Sequence, residues 1–154
     1  MGKIVIIGGG WAGCAAAIRA RKQGHEVQLL EKTDLLLGLG NVGGIMRNNG
    51  RYTAAEENIA LGADELFEIT DRLSTHRNID FPGHRHASFY DVALVEPEVR
   101  RLLTKLGVEL HMMTRVVDVE LANTAAGAPP ERVETAGAER KARMRQEAKS
   151  ASAA

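Results

Sequence analysis

The chain has 154 residues, of which 44% are hydrophobic and 26% charged, a composition typical of one globular domain. Its 20 basic and 20 acidic residues balance, so net charge gives no general attraction to nucleic acid or to an anionic membrane. Its one cysteine, Cys14, excludes an internal disulfide framework. The sequence has no apolar stretch near the roughly 20 residues of a membrane span and no signal peptide pattern. We therefore expect a cytoplasmic protein.

The first 30 residues have the order strand, helix, strand. Lys3–Ile7 is a short run rich in β-branched residues, which predicts a strand buried on both faces. Glycines follow, and residues 12–23 are rich in helix formers, with Gly24 where a helix end favours a left-handed residue. Glu26–Leu30 predicts a second strand. Together they predict a right-handed βαβ unit with parallel strands.

The middle of the chain is less regular. Residues 38–50 contain five glycines, which predicts a loop with unusual backbone angles. Thr53 and Glu56 have the spacing of a capping box, and a helical pattern continues to about Ser74 with a weak point at Gly62. Residues 76–91 have the composition of a loop.

A second helix and two strands are predicted next. Pro97 suits the first turn of a helix, an apolar stripe follows it, and Gly107 ends the pattern. Residues 108–112 and 115–121 predict strands.

Residues 122–154 differ in composition from the rest. Ala, Glu, Arg and Lys dominate, and Val133 and Met144 are the large apolar exceptions. Such a segment buries too little surface to offset its ordering entropy. We predict a domain over residues 1–121 and a disordered tail over 122–154, with a frayed helix over 131–149 as the alternative.

A glycine motif lies between the first strand and the first helix. Gly8, Gly9, Gly10, Trp11, Ala12 and Gly13 satisfy G-x-G-x-x-G, which in this context indicates dinucleotide binding. Gly8 allows the tight turn, Gly10 lets a pyrophosphate approach the backbone, and Gly13 allows close helix packing. The helix N-terminus offers free N–H groups to phosphate. Glu31, after the second strand, is placed to accept hydrogen bonds from ribose hydroxyls.

Residues 2–32, GKIVIIGGGWAGCAAAIRARKQGHEVQLLEK, resemble the FAD fingerprint of flavoproteins with two dinucleotide-binding domains. Gly38–Ile45, GLGNVGGI, resembles the second glycine-rich loop of that family, and residues 96–120 resemble its next helix and strands. The group it resembles most is the fumarate-reductase-like FAD-dependent oxidoreductases. The resemblance implies an α/β Rossmann-like parallel sheet with FAD as cofactor. It implies cofactor-binding roles for Gly8, Gly9, Gly10, Trp11, Ala12, Gly13, Glu31, Lys32, Gly38, Asn41, Val42, Gly43, Gly44 and Val116.

Two features depart from the family pattern. The loop before Gly38 has no histidine, which gives no support for a covalent histidyl-flavin bond there. The substrate domain and the later Gly-Asp motif of the family are missing, so the flavin site is expected to be the N-terminal portion only. Either the chain is a fragment, or a second chain completes the site. A non-catalytic adenine-dinucleotide module and an NAD-binding domain remain alternatives.

Several other residues have two interpretations. Cys14 is either a redox thiol at the helix start or a small buried hydrophobe. Trp11 either covers the cofactor or shields the turn. His84, Arg85 and His86, with His76 nearby, lack the ligand set of a metal site, so a polar loop is favoured over a carboxylate-binding one. Arg47, Asn48 and Asn49 either face the flavin or form a surface loop, and the loop is favoured. No metal is predicted.

Overall fold

The computed structural model describes residues 1–48, 54–76, 88–120 and 132–135. In chain order the elements are β1 (Lys3–Ile7), α1 (Trp11–Lys22), β2 (Glu26–Leu30), α2 (Ala55–Asn58), a π-helical segment (Ile59–Ala63), α3 (Asp64–Arg72), β3 (Ser74–His76), β4 (Phe89–Tyr90), α4 (Val92–Lys105), β5 (Glu109–His111), β6 (Val116–Glu120) and β7 (Arg132–Thr135).

The predicted order of strand, helix and strand is confirmed, and so is the parallel pairing of the two strands. β1 and β2 pair in parallel with Lys3 opposite Glu26, and β2 pairs in parallel with β5. The sheet order β1-β2-β5 matches the first three strands of a Rossmann-like sheet, in which the second strand lies between the other two. Gly24 ends α1 with a φ of 85°, as the sequence predicts.

The core lies on one face of this sheet, between α1, β2 and α4. Ile4 and Ile6 of β1 pack against it, whereas Val5 and Ile7 are 36% and 59% exposed. The expectation that β1 is buried on both faces is therefore wrong, because among the described residues the helices cover only one face. The fully buried side chains of the core include Cys14, Ala17, Ile18, Leu29, Leu36, Leu37, Leu66, Val95, Val99 and Leu103.

The predicted helix before Ser74 is interrupted and ends earlier. It begins at Ala55 with Ala54 as its N-cap and ends at Arg72, while Thr53 lies outside the described residues. Gly62 has a φ of 97° and a Cβ there would lie 3.2 Å from Cδ of Arg19. The weak point predicted at Gly62 is thus a kink that lets α1 pack closely.

The prediction that Pro97 lies in the first turn of its helix is wrong. α4 begins at Val92, and the carboxylate of its N-cap Asp91 accepts a hydrogen bond of 2.8 Å from the Ala93 N–H. Pro97 lies inside the helix. The Asp91 cap supplies the stronger start signal, and Gly107, with a φ of 82°, lies just past the end as predicted.

Strands replace loop or helix at two other places. β3 and β4 pair in antiparallel fashion at the two ends of the segment expected to be a loop. β7 pairs with β6, so the helix alternative is wrong for Arg132–Thr135, where Val133 and Thr135 favour strand. The other tail residues lie outside the described part, and the boundary at 121 stays a prediction. Among the described residues, no helix is long and apolar enough to cross a bilayer.

Candidate functional site

The turn between β1 and α1 has the geometry that the glycine motif predicts. Gly8 has a φ of 102°, a conformation that favours glycine, and its N–H donates to the Leu30 carbonyl oxygen at 2.8 Å. A Cβ on Gly13 would overlap the Gly8 carbonyl oxygen and lie 3.0 Å from its carbonyl carbon. The absence of a side chain at residue 13 is therefore what allows α1 to start against the end of β1.

The first turn of α1 is open toward a ligand. Among the described residues, the N–H groups of Gly10, Trp11, Ala12 and Gly13 have no acceptor, and the N-cap residue Gly10 provides no side-chain cap. A Cβ on Gly8 or on Gly10 would meet no heavy atom within 4 Å. The first turn also has no acidic residue. Free N–H groups and an uncompensated positive helix end are suited to an anionic phosphate.

Glu31 points at this turn from the end of β2. Its Oε2 accepts the Gly9 N–H at 2.6 Å, and its Oε1 accepts both the N–H and the hydroxyl of Thr33 at 2.8 Å. Burial opposes its ionisation, but the hydrogen bonds from Thr33 and Gly9 outweigh burial and hold the pKa of Glu31 below its usual value. A carboxylate has about four acceptor positions. Three of these positions are filled, and the fourth, on Oε2, has no donor among the described residues.

The second glycine loop packs directly on the first turn. The Leu37 N–H donates to the Gly9 carbonyl oxygen at 2.7 Å, and a Cβ on Gly38 would lie 3.3 Å from Cα of Gly10. The Val42 N–H donates to the Gly38 carbonyl oxygen at 2.7 Å, which folds the loop into a compact turn. The two glycine segments, separated in sequence, therefore form one surface.

Two buried polar side chains lie beside this surface. Asn41 is 6% exposed, and neither of its amide atoms has a hydrogen-bond partner among the described residues. Tyr90 is 1% exposed, and burial raises the pKa of its hydroxyl, an effect partly offset by its interaction with the neighbouring Trp11 indole. Unpartnered buried polar atoms are rare in folded proteins and call for a ligand, ion or water.

Aromatic rings fix Trp11, the variable residue of the glycine motif. Its ring centroid lies 5.3 Å from that of Phe67 and 6.5 Å from that of Tyr90. It is half-buried, so its main contact is with α3 and β4. Phe67 and Tyr90 have no signal in the sequence for this contact, because they come from segments distant from Trp11.

The structure also describes the other predicted cofactor residues, whose binding roles stay predictions. Lys32 is exposed and follows Glu31. Val116 begins β6, two residues after Thr114, whose N–H donates to the Glu31 carbonyl oxygen at 2.8 Å. The exposed predicted residues of the second loop are Val42, Gly43 and Gly44.

Cys14 and Asn48 have structural roles. Cys14 is fully buried, and its Sγ donates to the Gly9 carbonyl oxygen at 3.3 Å. Burial raises the pKa of this thiol to about 12, so it is not a thiolate near neutral pH and the packing interpretation holds. The Asn48 amide donates to the Thr70 hydroxyl at 2.8 Å and is 2% exposed. Asn48 thus belongs to the interior and does not form a surface loop.

Most of the remaining residues that the sequence suggested for ligand binding lie outside the described part of the chain. Arg47 is exposed, and its backbone forms an isolated antiparallel β-bridge with Phe89. The structure does not describe Asn49, His84, Arg85 or His86. His76 ends β3. Residues 1–48, 54–76, 88–120 and 132–135 hold no cluster of His, Cys, Asp or Glu that could bind a metal ion.

The sequence matches the family described as FAD dependent oxidoreductase over residues 3–152. The chain belongs to this family. The cofactor of the FAD dependent oxidoreductases is FAD, which agrees with the open glycine turn, and the α/β fold agrees with solved structures. Thermovibrio ammonificans THI4 superposes with a TM-score of 0.56 at 16% identity, covering 86% of this chain and 46% of that chain. FqzB superposes with a TM-score of 0.53 at 18% identity, covering 86% of this chain and 34% of that chain.

The curated proteins that the sequence matches include an FAD-dependent monooxygenase and a carotene desaturase. The FAD-dependent monooxygenase kojA of Aspergillus flavus is 43% identical over 113 residues, covering 62% of this chain and 26% of that protein. The zeta-carotene desaturase of Solanum lycopersicum is 28% identical over 85 residues, covering 54% of this chain and 14% of that protein. The chain thus spans about a quarter or less of the length of the curated relatives that it matches.

Proposed function

We propose that this chain is the FAD-binding portion of a flavoprotein oxidoreductase and that it holds the ADP half of FAD at the glycine turn. The observation that carries the proposal is the row of N–H groups at Gly10, Trp11, Ala12 and Gly13, which have no acceptor within the described part of the chain and lie at a helix N-terminus. These groups would bind the pyrophosphate, and the open Gly10 position lets it approach the backbone.

Glu31 would bind the ribose and fix the orientation of the nucleotide. Its remaining acceptor position on Oε2 suits a hydroxyl donor, while its negative charge would repel a 2′-phosphate. Thr33 and the Gly9 N–H hold the carboxylate in place, so it does not need to reorganise when the ligand binds. Bound FAD supplies the redox chemistry through its flavin ring, and no described residue is assigned as a general acid or base.

A ligand titration tests the proposal. The 154-residue chain is mixed with FAD, ADP or NAD, and binding is followed by calorimetry and by thermal unfolding. We expect FAD and ADP to raise the melting temperature by mass action, and the FAD complex to carry flavin absorbance near roughly 450 nm, as oxidised flavin cofactors do. No stabilisation by either ADP or FAD would overturn the proposal. NAD binding tighter than FAD binding would favour an NAD-binding domain.

Replacement of Glu31 by glutamine tests the ribose role. Glu31→Gln keeps the size of the side chain but removes the negative charge and replaces one of the two acceptor oxygens with an NH2 donor. We expect ADP affinity to fall by about 1–3 kcal/mol, the range for a lost charged hydrogen bond. The measurement is calorimetric titration with ADP, with Glu26→Gln, the same change at the exposed start of β2, as the comparison.

Two further measurements separate ribose binding from support of the turn. Wild-type protein should bind ADP more tightly than 2′,3′-dideoxy-ADP, and equal affinities would contradict the ribose role. Because the folded-state pKa of Glu31 is lowered, its ionised form stabilises the fold above the ordinary glutamate pKa of about 4.3. This contribution is lost as pH falls through the lowered value, so Glu31→Gln should show a smaller loss of stability on acidification.

A further inference from the structure

Glu96 is a buried carboxylate in α4 that the proposed nucleotide site does not use. It is 6% exposed and belongs, with Val95 and Val99, to the buried residues of the helix. A buried carboxylate is costly unless it is paired and hydrogen-bonded. Its presence on this face of the helix therefore points to a partner whose position the carboxylate fixes.

That partner is Arg100, one turn further along α4. Its Nε lies 3.4 Å from Oε2 of Glu96, and its Nη2 donates to Oε1 of the same carboxylate. The same Nη2 also donates to the backbone carbonyl oxygen of Asp34 at 2.8 Å. Because the guanidinium is planar and its donors have fixed directions, the carboxylate sets the direction in which Arg100 contacts the loop after β2.

The backbone that Arg100 holds carries the anchor of Glu31. Asp34 directly follows Thr33, whose N–H and hydroxyl donate to Oε1 of Glu31 at 2.8 Å. The Thr33 carbonyl oxygen accepts the Met113 N–H at 3.0 Å, so two successive peptide groups of the loop are held from outside it. The Thr33 hydroxyl also lies 2.9 Å from the Leu35 carbonyl oxygen. Its single hydrogen can donate to only one of the two acceptors, so the placement of this loop decides whether Glu31 receives it.

We propose that Glu96 and Arg100 are positioning residues for Glu31, because they hold the Asp34 carbonyl so that Thr33 stays directed at the carboxylate proposed to bind ribose. This inference rests on the proposed function. It gives the buried acid of α4 a role that neither the glycine motif nor the second glycine loop explains. It also connects nucleotide binding to a helix that has no residue in the proposed contacts with the ligand.

A direct and an indirect effect of Glu96 on Glu31 have opposite signs. Burial is the main cause that raises the pKa of Cys14, and the charges of Glu31 and Glu96 both add to it, so the two carboxylates lie near the same thiol. Burial, the hydrogen bonds that Glu31 accepts and the charge of Lys32 together set the pKa of Glu31. Through space a negative Glu96 would raise this pKa, whereas through Arg100 and the loop it lowers it.

The experiment measures the pKa of Glu31 in the ligand-free full chain by carbon NMR of its side-chain carboxyl, with Glu31→Gln identifying the signal. Glu96→Met and Arg100→Met each remove the polar contacts, and methionine is an unbranched residue that helices favour. We expect both changes to raise the pKa of Glu31, because burial is then opposed by weaker hydrogen bonds. For Glu96→Met this rise is opposite to the effect of removing a nearby negative charge, so it separates positioning from direct electrostatics.

Ligand affinities at neutral pH supply the second measurement. We expect both variants to bind ADP about twofold to tenfold more weakly, the effect of one weakened hydrogen bond, and to bind 2′,3′-dideoxy-ADP as the wild type does. Arg101→Met is the control, because Arg101 is the next residue on the helix, is exposed and pairs with Glu98. It should leave the pKa of Glu31 and both affinities unaltered.

Each result decides the inference. An unchanged or lowered pKa of Glu31 in the two variants would overturn it, and so would equal losses of ADP and 2′,3′-dideoxy-ADP affinity. A pKa shift of the same size in Arg101→Met would also overturn it, since any change of charge on α4 would then suffice. The melting temperature identifies a variant that fails to fold, and the other variant then decides alone. If the wild type binds neither ADP nor FAD, the proposed function fails, while the pKa of Glu31 in the ligand-free variants still tests whether Glu96 and Arg100 position it.

Discussion

Gly13→Ala is expected to destabilise the protein strongly, although alanine is the better helix former. In an open helix position the change would stabilise by about 1 kcal/mol. Here the new Cβ would overlap the carbonyl oxygen of Gly8 and lie 3.0 Å from its carbon. These are backbone atoms at the end of β1, so they cannot move without displacing the strand or the helix. Overpacking of this kind costs about 1–3 kcal/mol, and more where backbone must move.

Thermal and urea denaturation measure this effect. For a chain of this size, a loss of about 3 kcal/mol corresponds to a melting temperature lower by roughly 6–12 °C. Gly10→Ala is the matched comparison, because a Cβ at residue 10 meets no heavy atom within 4 Å. A Gly13→Ala protein as stable as the Gly10→Ala protein would show that the close start of α1 is not required by the fold.

The success of the sequence-based predictions near the N-terminus has a local cause. β1, β2 and the end of α1 at Gly24 are encoded by runs of neighbouring residues, and the bounds of both strands were predicted to the residue. The glycine spacing likewise carries its own geometry, since only glycine tolerates the φ of Gly8 and the contact at Gly13. The open turn could therefore be predicted from six residues.

The features that sequence analysis missed depend on pairing between distant segments. β4 has only two residues, and its pairing with β3 joins the two ends of a segment that has a loop-like composition. Asn48 is buried, and its side-chain amide donates a hydrogen bond to the hydroxyl of Thr70, 22 residues away. The exposed face of β1 has the same cause, since burial of a strand is decided by what covers it. A local sequence pattern predicts that a strand forms, but it does not predict which elements cover its faces.

Part of the candidate site also could not be predicted from the sequence, because it depends on contacts between separate segments. Glu31 was predicted from its place after β2, but its anchoring by Thr33 and Gly9 required coordinates. Asn41 was included because of its place in the second glycine loop. That its amide is buried and without a partner among the described residues follows only from the packing of that loop.

Gly10→Val is expected to abolish dinucleotide binding while leaving the fold intact. Gly10 has a φ of −69° and a ψ of −177°, an extended conformation that valine adopts readily. Its Cβ would enter the open space above the turn, where the pyrophosphate must approach the N–H groups of α1. We expect ADP and FAD affinities to fall at least 100-fold, about 2.7 kcal/mol, with Gly10→Ala showing a smaller loss.

Stability distinguishes this variant from Gly13→Ala. As an N-cap residue, valine is poorer than glycine by an amount on the order of 1 kcal/mol or less, so the melting temperature without ligand should fall only slightly. Binding is lost because the ligand's approach is blocked, whereas in Gly13→Ala it is lost because the turn is deformed. If Gly10→Val bound ADP with wild-type affinity, the phosphate would have to contact some other part of the chain. The unpaired N–H groups of α1 would then have no bearing on the cofactor.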